Sequence, residues 1–498
     1  MTPWREPIRI LTRQECEEIH RAALAILRDV GMRIEHAEAR GLLERVGCCL
    51  NEAEHLVRFP AKVVEAAVDR MRAAFAEPGR LPEGMAVRYG RVLFRTQPLQ
   101  VHPDFTVNAG GFCTVLYDLD GVRRDATLAD VRAALRLADQ LDEIAFTGLP
   151  ISAQEIPEQL RPVAMAAELV KHTRKFGGIE AFRASDVPYL QRLGEIVQTP
   201  EERCRWPALV PYAEVRSPLC LDENMAEIFI TCIRAGLPQS LDTMPSGGAT
   251  APMTAAGILA LGLAETLGGL VLGYAVDEKA TLTIDFTPSY ADMRTLLFNY
   301  SGGPRLPLLC ARVQLVSEFY GCPSAVHGGK TDACHAGIRT GMEKMASMLL
   351  PVLSGAIGIG TVGHLENART YSPVQLVIDN LIAKIVRRMV RGIEVSDDTL
   401  ALNLIRAVGP GGHFIDQMHT LAHARSEHLL LPPLVTWPWD IGVREEARLE
   451  TWARAEAARL MQAPHRSPLT LAQSKAVDAV VAEAAEAYGC TEALHLLA

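Results

Sequence analysis

The sequence lacks several features that identify common classes of protein. Among its 498 residues no Cys-x-x-Cys pair occurs, and the eleven cysteines form an odd set in which Cys48 and Cys49 are adjacent. Scattered thiols of this kind argue against a disulfide framework and indicate a reducing compartment. The chain does not open with a basic segment followed by an apolar one, so we expect no secretory signal and a cytoplasmic location.

Excess charge of one sign is small, and long apolar runs are almost absent. With 50 Lys and Arg against 59 Asp and Glu, the formal net charge of −9 suits nucleic acid poorly, and we expect no such partner. The one run long enough to span a bilayer lies between Pro252 and Val276 and carries Glu265 at its centre. Because a carboxylate at mid-membrane is costly, this run predicts a buried core helix and no membrane association.

Motifs of common catalytic machinery are also missing. The chain has neither an HExxH zinc motif nor a GxSxG nucleophile turn. The stretch Gly358-Ile-Gly-Thr-Val-Gly363 matches GxGxxG, but no helix is predicted at its third glycine. It therefore indicates a strand that a neighbour approaches closely, not a dinucleotide site. The glycine-rich loop at 245–252 could hold an anion at the following helix N-terminus, or it could simply allow the turn.

Histidines are dense in one C-terminal segment, at His413, His419 and His423. The spacing of the last two places both rings on one helical face, as a zinc site requires. A further ligand and a general-base glutamate are not evident nearby, and such pairs often arise by chance. Structural histidines are therefore favoured, and we expect no protein-bound metal.

Hydrophobic periodicity divides the chain into four predicted domains. Residues 1–86 are predicted as a helical cap with a Thr12–Glu15 capping box, 87–126 as a β-hairpin segment, and 413–498 as a helical extension. In 127–412 short apolar strands alternate with long helices, which predicts an α/β fold and specifically a (β/α)8 TIM barrel. Seven strands are predicted, at 145–151, 178–182, 208–215, 239–244, 281–286, 323–327 and 355–362. An eighth strand cannot be placed.

Polar and aromatic side chains lie next to several of these strands. TIM barrels carry their active sites at the C-terminal ends of the strands, so we expect these side chains to converge on a substrate. The predicted substrate-binding residues are His172, Phe176, Tyr212, Glu214, His327, His364, Glu366 and Tyr371.

Several short motifs occur in an order that resembles one known family. They are Leu11-Thr-Arg-Gln-Glu-Cys16, Met244-Pro-Ser-Gly-Gly-Ala-Thr-Ala-Pro252, Asp292-Met-Arg-Thr295, Gly392-Ile-Glu-Val-Ser-Asp-Asp-Thr-Leu400 and Val408-Gly-Pro-Gly-Gly-His-Phe414. Each motif is modest alone, but the ordered set resembles the trimethylamine methyltransferase family, its non-pyrrolysine branch included. The similarity runs over nearly the whole chain.

The resemblance implies a TIM barrel that takes a methyl group from a methylated amine and gives it to cobalamin on a separate corrinoid protein. It also implies homo-oligomers. The trimethylamine enzymes carry pyrrolysine, which is not present here, and the stretch Gly328-Gly-Lys-Thr-Asp332 is ordinary. This departure points to the branch typified by glycine betaine methyltransferase, whose substrates are quaternary amines. A second departure is Gly302-Gly-Pro-Arg305, where an acidic residue is expected at the end.

A quaternary ammonium suits a chain without an evident acid–base pair, because its leaving group is already a neutral tertiary amine. The protein must then bind and align the substrate for cobalt(I). Aromatic faces hold such a cation, and a betaine carboxylate needs His, Arg or backbone N–H donors. We predict that His364 donates a hydrogen bond to the polar end of the substrate and that Tyr371 forms an aromatic wall. A His364→Ala variant should stay folded and bind substrate at least about tenfold more weakly.

Two alternatives stay open from the sequence alone. The first is a non-catalytic protein that binds a methylated amine, since no single residue proves chemistry. Calorimetry that shows binding without methyl transfer would favour it. The second is a zinc-dependent methyltransferase that uses His413, His419 and His423, which metal analysis of untagged protein would test.

Overall fold

Parallel strands and helices alternate through most of the computed structural model, which describes residues 6–76, 105–205, 207–427 and 445–497. The helices are α1 (Arg13–Ala25), α2 (Ala37–Arg45), α3 (Ala61–Ala76), α4 (Leu128–Gln140), α5 (Arg161–His172), α6 (Val187–Val197), α7 (Pro200–Arg205), α8 (Glu223–Arg234), α9 (Ala255–Val276), α10 (Arg305–Gln314), α11 (Ile338–Leu353), α12 (Pro373–Val390), α13 (Asp397–Leu400), α14 (Leu402–Val408), α15 (Met418–Glu427), α16 (Glu445–Gln462), α17 (Leu471–Ala487) and α18 (Leu494–Leu497).

The strands are short, most of them two to four residues long. They are β1 (Met32–Ile34), β2 (Cys49–Asn51), β3 (Leu56–Arg58), β4 (Thr106–Ala109), β5 (Val115–Tyr117), β6 (Arg123–Asp125), β7 (Ile144–Thr147), β8 (Gly178–Ile179), β9 (Val210–Pro211), β10 (Ala213–Val215), β11 (Cys220–Leu221), β12 (Leu241–Thr243), β13 (Ser246–Gly247), β14 (Ser289–Ala291), β15 (Phe298–Asn299), β16 (Ala325–Val326), β17 (Gly358–Ile359), β18 (His364–Leu365) and β19 (Thr370–Tyr371).

Eight parallel segments follow one another in a single order. One sheet has the order β16-β17-β4-β7 with every pair parallel, and Thr147 of β7 bridges to Phe176 just before β8. Strand β8 pairs with β9, and β10, two residues further on, pairs with β12. The segment 281–287 runs parallel to β12, because Gln239 exchanges backbone hydrogen bonds with Thr281 and Thr283. The prediction of an α/β fold is confirmed.

The strand that sequence reasoning could not place is β4. It lies inside the segment 87–126, which was predicted as a β-hairpin, and it pairs with β7 on one side and β17 on the other. The hairpin itself follows as β5 and β6, which pair antiparallel around Asp118–Gly121 as predicted. The main sheet therefore extends beyond the N-terminal limit of 127–412. The four-domain division stays a prediction, and its first boundary, at residue 86, lies outside the described residues.

The order of strands is not closed into a complete barrel. Within the described residues no backbone hydrogen bond joins 281–287 to β16, although the two are the ends of the order. Arg312 of α10 spans this seam: its guanidinium pairs with Asp285 and donates to the carbonyl of Ala325 and to Ser324 Oγ, the last at 2.7 Å. At this seam the Arg312 side chain connects the two segments, whereas backbone hydrogen bonds connect the other neighbouring strands.

Helix α9 is the apolar run seen in the sequence. In the described part of the chain it is the one helix long and apolar enough to cross a membrane, and 83% of its most apolar window is buried inside the protein. Glu265 at its centre accepts hydrogen bonds from Leu219 N at 2.7 Å, from Ser217 Oγ at 2.8 Å and from the Thr243 hydroxyl. The carboxylate therefore ties the helix to β12 and to the loop before β11, as expected of a core helix.

The remaining helices pack around this sheet. Near the N-terminus the Thr12–Glu15 capping box is present, and α1, α2 and α3 pack against α9. Near the C-terminus α16 packs on α12 and α4, and α17 packs on α5 and α6. Between them, α13, α14 and α15 have no buried residue. These three helices expose large apolar side chains, among them Ile405, Met418 and Leu421.

Candidate active site

A cavity of about 320 Å³ lies beyond the C-terminal ends of β10 and β12. It is lined by Glu214, Val215, Arg216, Ser217, Asp222, Met225, Met244, Thr250, Phe298 and Tyr300. Strand β10 contributes Glu214, and the loop between β15 and α10 contributes Tyr300. The cavity therefore combines two acidic residues, Glu214 and Asp222, with two aromatic rings at the edge of the parallel sheet where barrel enzymes keep their sites.

Three acidic side chains surround the inner side of this site. Glu214 and Asp242 are register partners on β10 and β12, so their side chains stand on one face of adjacent strands. Burial raises the pKa of Glu214 to about 7, and the neighbouring Asp242 acts in the same direction. Burial also raises the pKa of Asp242, and it raises that of Glu180, which follows β8, to about 7. The site thus holds carboxyl groups that change charge near neutral pH.

Tyr212 orients one of these carboxyl groups. Its hydroxyl donates to Glu180 Oε1 at 3.1 Å, and its ring lies 5.8 Å from the ring of Phe112, centroid to centroid. Burial raises the pKa of Tyr212 well above its usual value, and Glu180 and Glu214 add to this effect. The phenol of Tyr212 therefore stays neutral and donates a hydrogen bond to Glu180 at physiological pH.

Two basic side chains pack against the ring of Tyr300, which lines the cavity. Lys330 Nζ lies 4.1 Å from the centroid of the Tyr300 ring, and the Arg305 guanidinium carbon lies 5.4 Å from the same centroid. Burial lowers the pKa of Lys330 to about 7, with Arg305 as the next cause. Burial lowers the pKa of Arg305 to about 10. Tyr300 therefore connects the cavity to two buried basic side chains, and Lys330 and Glu214 are close enough to influence each other's pKa.

Three of the predicted substrate-binding residues come together here: Tyr212, Glu214 and His327. His327 keeps a solvent-exposed surface although protein atoms surround its ring. Its Nδ1 lies 2.6 Å from Thr361 Oγ1. Burial lowers the pKa of His327 well below its usual value, and Lys330 and Arg305 add to this effect. The His327 ring is therefore a neutral hydrogen-bonding group near Lys330 and Arg305.

His364 and Tyr371 are neighbours, but both are fully buried. They are register partners on β18 and β19, with ring centroids 6.3 Å apart and rings nearly perpendicular. The His364 ring packs against the backbone of Gly111, where any added Cβ would collide with it at 2.0 Å. Burial lowers the pKa of His364 to about 3, with Lys344 and Lys330 acting in the same direction. Its predicted hydrogen bond to substrate stays a prediction, and the alanine test now needs a thermal-unfolding measurement because the variant also removes buried packing.

The other three predicted residues have contacts elsewhere in the fold. His172 ends α5, where it meets Glu168 at 3.2 Å and stacks on His465. Phe176 is buried ahead of β8, at the end of the strand opposite to the site. Glu366 accepts hydrogen bonds from Tyr117 at 2.7 Å, Thr370 at 2.6 Å and Arg123 at 3.2 Å. The structure does not bring these three together with Glu214, and their role in substrate binding stays a prediction.

The C-terminal histidines lie outside this site. His419 and His423 stand on α15 with ring centroids 4.3 Å apart, and His423 Nε2 lies 3.2 Å from Asp398 Oδ2. One potential ligand atom from each of these three residues lies within 4.8 Å of the others. His413 pairs with Asp416 instead, at 3.5 Å. The structure therefore groups Asp398 with the two helical histidines, where the sequence suggested His413.

Sequence reasoning missed several residues of the site, namely Glu180, Asp242, Tyr300, Arg305 and Lys330. Two of them carried a usable signal: Asp242 lies within the predicted strand 239–244, and Glu180 lies within 178–182. Lys330 lies in the stretch 328–332, which shows no distinctive motif, and Arg305 ends the stretch 302–305, which departs from the family pattern. Their importance depends on a tertiary contact with Tyr300, which spacing along the chain does not reveal.

Together, the parallel sheet and the polar pocket at its C-terminal edge define an α/β enzyme that acts on a small molecule. The acidic and aromatic residues that line the pocket can hold a cation. Within the described residues, they contain no nucleophile–base–acid arrangement of the Ser-His-Asp kind.

The chain belongs to the trimethylamine methyltransferase (MTTB) family, which it matches over residues 3–488. It is a methyltransferase of that family, whose members act on corrinoid partner proteins. It is 29% identical to the trimethylamine methyltransferase MttB of Methanosarcina barkeri, with 97% of this chain and 96% of that protein covered. It is 31% identical to MttB2 of Methanosarcina mazei (82% and 81% covered), and 27% identical to the glycine betaine methyltransferase of Desulfitobacterium hafniense (90% and 91% covered). The family prediction is confirmed.

Among solved structures, the chain is similar to the monomethylamine methyltransferase MtmB of Methanosarcina barkeri. The TM-score is 0.42 at 13% sequence identity, with 90% of this chain and 94% of that chain covered. The hydroxylamine complex of MtmB gives a TM-score of 0.44 at the same identity and coverage.

Proposed function

We propose that the protein transfers a methyl group from a quaternary amine, glycine betaine or a similar compound, to Co(I) of a cobalamin carried by a cognate corrinoid protein. The observation that supports this most is the pairing of Glu214 with Tyr300 and Phe298 in one small cavity. A carboxylate and aromatic faces are the groups that hold a quaternary ammonium, each cation–π contact contributing about 0.5–2 kcal/mol. The similarity to a glycine betaine methyltransferase agrees with this choice.

In this proposal the residues of the chain bind and align the substrate. The corrinoid supplies a strong nucleophile, and the amine leaves as a neutral tertiary amine, so no side chain has to donate a proton. Glu214 and the aromatic rings hold the ammonium, while Tyr212 keeps Glu180 fixed behind them. Positioning of this kind lowers the barrier by removing rotational freedom before the reaction.

The direct test mixes the protein with its corrinoid partner, or with free cob(I)alamin, and a panel of glycine betaine, proline betaine and carnitine. We expect the absorbance of methylcobalamin to appear with at least one of them. The control is the same mixture with trimethylamine, which lacks the activated leaving group. Calorimetric binding of a betaine without methyl transfer to any corrinoid would instead favour a non-catalytic binding protein.

Binding of the ammonium should depend on pH. The pKa values of Glu214 and Glu180 are raised to about 7, so both groups lose their negative charge as the pH falls through that value. Affinity for tetramethylammonium should therefore fall about tenfold from about pH 8 to about pH 6, measured by calorimetry. Protonation of Lys330 over the same range acts in the same direction. An affinity that is constant over this range would contradict a cation site at Glu214.

The surface around the cavity fits a docking protein. Five exposed side chains form an apolar rim: Met253, Met293, Leu296, Leu297 and Phe298. Phe298 also lines the cavity, and the sulfurs of Met253 and Met293 both lie beside Gly248. Exposed apolar side chains that adjoin a site commonly mark a contact with a partner. We assign this apolar rim to the corrinoid protein.

A charge placed on the apolar rim should weaken docking of the corrinoid protein without changing the methyl-transfer reaction itself. Leu296→Asp is expected to lower the rate of methyl transfer to the corrinoid protein at least about tenfold, because a desolvated charge weakens an apolar contact. The rate with free cob(I)alamin should be unchanged. The matched control is Leu471→Asp, an equally exposed leucine at the start of α17. Equal losses with both acceptors would place Leu296 in the site itself.

We also propose that the protein forms homo-oligomers through the exposed apolar side chains of α13, α14 and α15. Isolated helices with no buried residue gain little stability by themselves. Burial against another copy would cover these side chains. Light scattering of the purified protein tests this, and a monomer at micromolar concentration would contradict it.

A further inference from the structure

Two buried basic side chains lie against the ring of Tyr300. The side chains of Lys330 and Arg305 are 8% and 1% exposed, and their charged groups lie 4.1 and 5.4 Å from the centroid of the Tyr300 ring. Burial lowers the pKa of Lys330, and Arg305 is the next cause. In the described part of the chain neither side chain forms an ion pair.

The guanidinium of Arg305 is only partly satisfied. Its Nε donates to the carbonyl of Pro288 at 3.0 Å, and its Nη1 donates to the carbonyl of Tyr300. Its Nη2 is buried and has no hydrogen-bond partner in the residues that the structure describes. A buried unpaired N–H of a charged group is costly, so this nitrogen is a donor that lacks its acceptor.

Two acidic groups act on these side chains without forming an ion pair with them in the described residues: Asp332 acts on both, and Glu214 acts on Lys330. Asp332 accepts hydrogen bonds from the backbone N–H groups of Tyr300 at 2.9 Å and Ser301 at 3.2 Å. Glu214 lines the cavity with Tyr300 and faces the proposed ammonium position. The buried Nη2 of Arg305 therefore still lacks an acceptor, and an incoming anion would supply one and would favour the charged form of Lys330.

We propose that Lys330 and Arg305 form an anion subsite that binds the carboxylate of the substrate, so that the pocket selects a zwitterionic amine. This inference rests on the proposed function, since the ammonium of the same molecule occupies the Glu214 side. A planar carboxylate can accept one hydrogen bond from Arg305 Nη2 and one from Lys330 Nζ. An amine without the carboxylate would leave both donors unpaired. Lys330 and Arg305 are then specificity-determining residues, while the ammonium contacts are common to all quaternary amines.

The test is calorimetry of the protein without corrinoid, with glycine betaine, tetramethylammonium and acetate as three separate ligands. In the unmodified protein, betaine should bind more tightly than tetramethylammonium, and acetate should compete with betaine but leave tetramethylammonium bound. The variant Lys330→Met should lose about tenfold or more in betaine affinity. Its tetramethylammonium affinity should be unchanged or higher, because a nearby positive charge is removed. Lys330→Arg should keep most of the betaine affinity, and Lys279→Met, an exposed lysine after α9, should change nothing.

The possible failures are distinguishable. If acetate neither binds nor competes, or if Lys330→Met weakens betaine and tetramethylammonium equally, the anion subsite is overturned while the proposed function can stand. If neither amine binds but acetate binds and is lost in Lys330→Met, the subsite stands and the proposed function fails. Should Lys330→Met not fold, the competition by acetate in the unmodified protein decides the question alone.

Discussion

Replacement of Glu214 by glutamine is expected to lower kcat/KM for methyl transfer about a hundredfold. The amide keeps the shape of the side chain but removes the charge that faces the ammonium, and the loss of a charge-assisted contact in a poorly solvated site costs about 2–3 kcal/mol. Glutamine also imitates the protonated glutamic acid, whose pKa is raised to about 7. The variant should therefore show a weaker dependence of substrate affinity on pH than the unmodified protein.

The measurement is steady-state transfer to cob(I)alamin over a range of betaine concentrations, with thermal unfolding in parallel. Glu278→Gln, an exposed carboxylate after α9, is the matched control and should leave both constants unchanged. If Glu214→Gln retains normal kinetics, the carboxyl group does not contact the substrate. If it unfolds, Glu214→Asp separates loss of charge from loss of structure.

Replacement of Lys344 by methionine is expected to lower the free energy of unfolding by about 3–5 kcal/mol, because it leaves a buried carboxylate unpaired. Lys344 Nζ lies 2.5 Å from Asp379 Oδ2, and both side chains are fully buried. Asp379 also accepts hydrogen bonds from Gly363 N at 2.6 Å and from Gln375 Nε2 at 2.8 Å. The pair therefore joins α11, α12 and the residue before β18, and its loss affects all three.

Chemical denaturation measures this effect. The double variant Lys344→Met, Asp379→Leu should recover part of the stability, because no unpaired charge is left. The exposed pair Lys384–Asp142, at 2.7 Å, is the matched control, and Lys384→Met should cost less than about 1 kcal/mol. A similar small cost for Lys344→Met would show that Asp379 takes up a proton and adapts.

Local signals explain what could be predicted of the fold. The sequence predicts a helix over 187–197, and α6 has these bounds, because Pro188 suits the first turn and the apolar stripe is regular. The Thr12–Glu15 capping box is likewise a local interaction. Strand β4 was missed because its alternating residues resemble those of the hairpin predicted for that segment, and its place in the sheet comes from pairing with β7 and β17, which are distant in sequence.

The residues of the candidate site also fall into two groups, those that the sequence could reveal and those that it could not. Tyr212 and Glu214 could be found because they lie on a predicted strand near its C-terminal end. His172 and Phe176 precede β8, and residues before a strand stand at the end of the barrel opposite to the mouth. Lys330 and Arg305 could not be found because a lysine in a glycine loop and an arginine at a helix start are normally solvated. Only the packing of Tyr300 over both makes them part of the site.

The missing strand pairing at Arg312 leaves the ring of parallel segments with a circumference that is not fixed by backbone hydrogen bonds alone. Backbone ladders hold neighbouring strands at a fixed spacing of about 4.8 Å, whereas a long side chain can lengthen or shorten its reach by rotation about single bonds. Here segment 281–287 and β16, the two ends of the strand order, are joined by a guanidinium that contacts Asp285 and Ala325. The spacing of these two segments can therefore change without breaking any strand pairing.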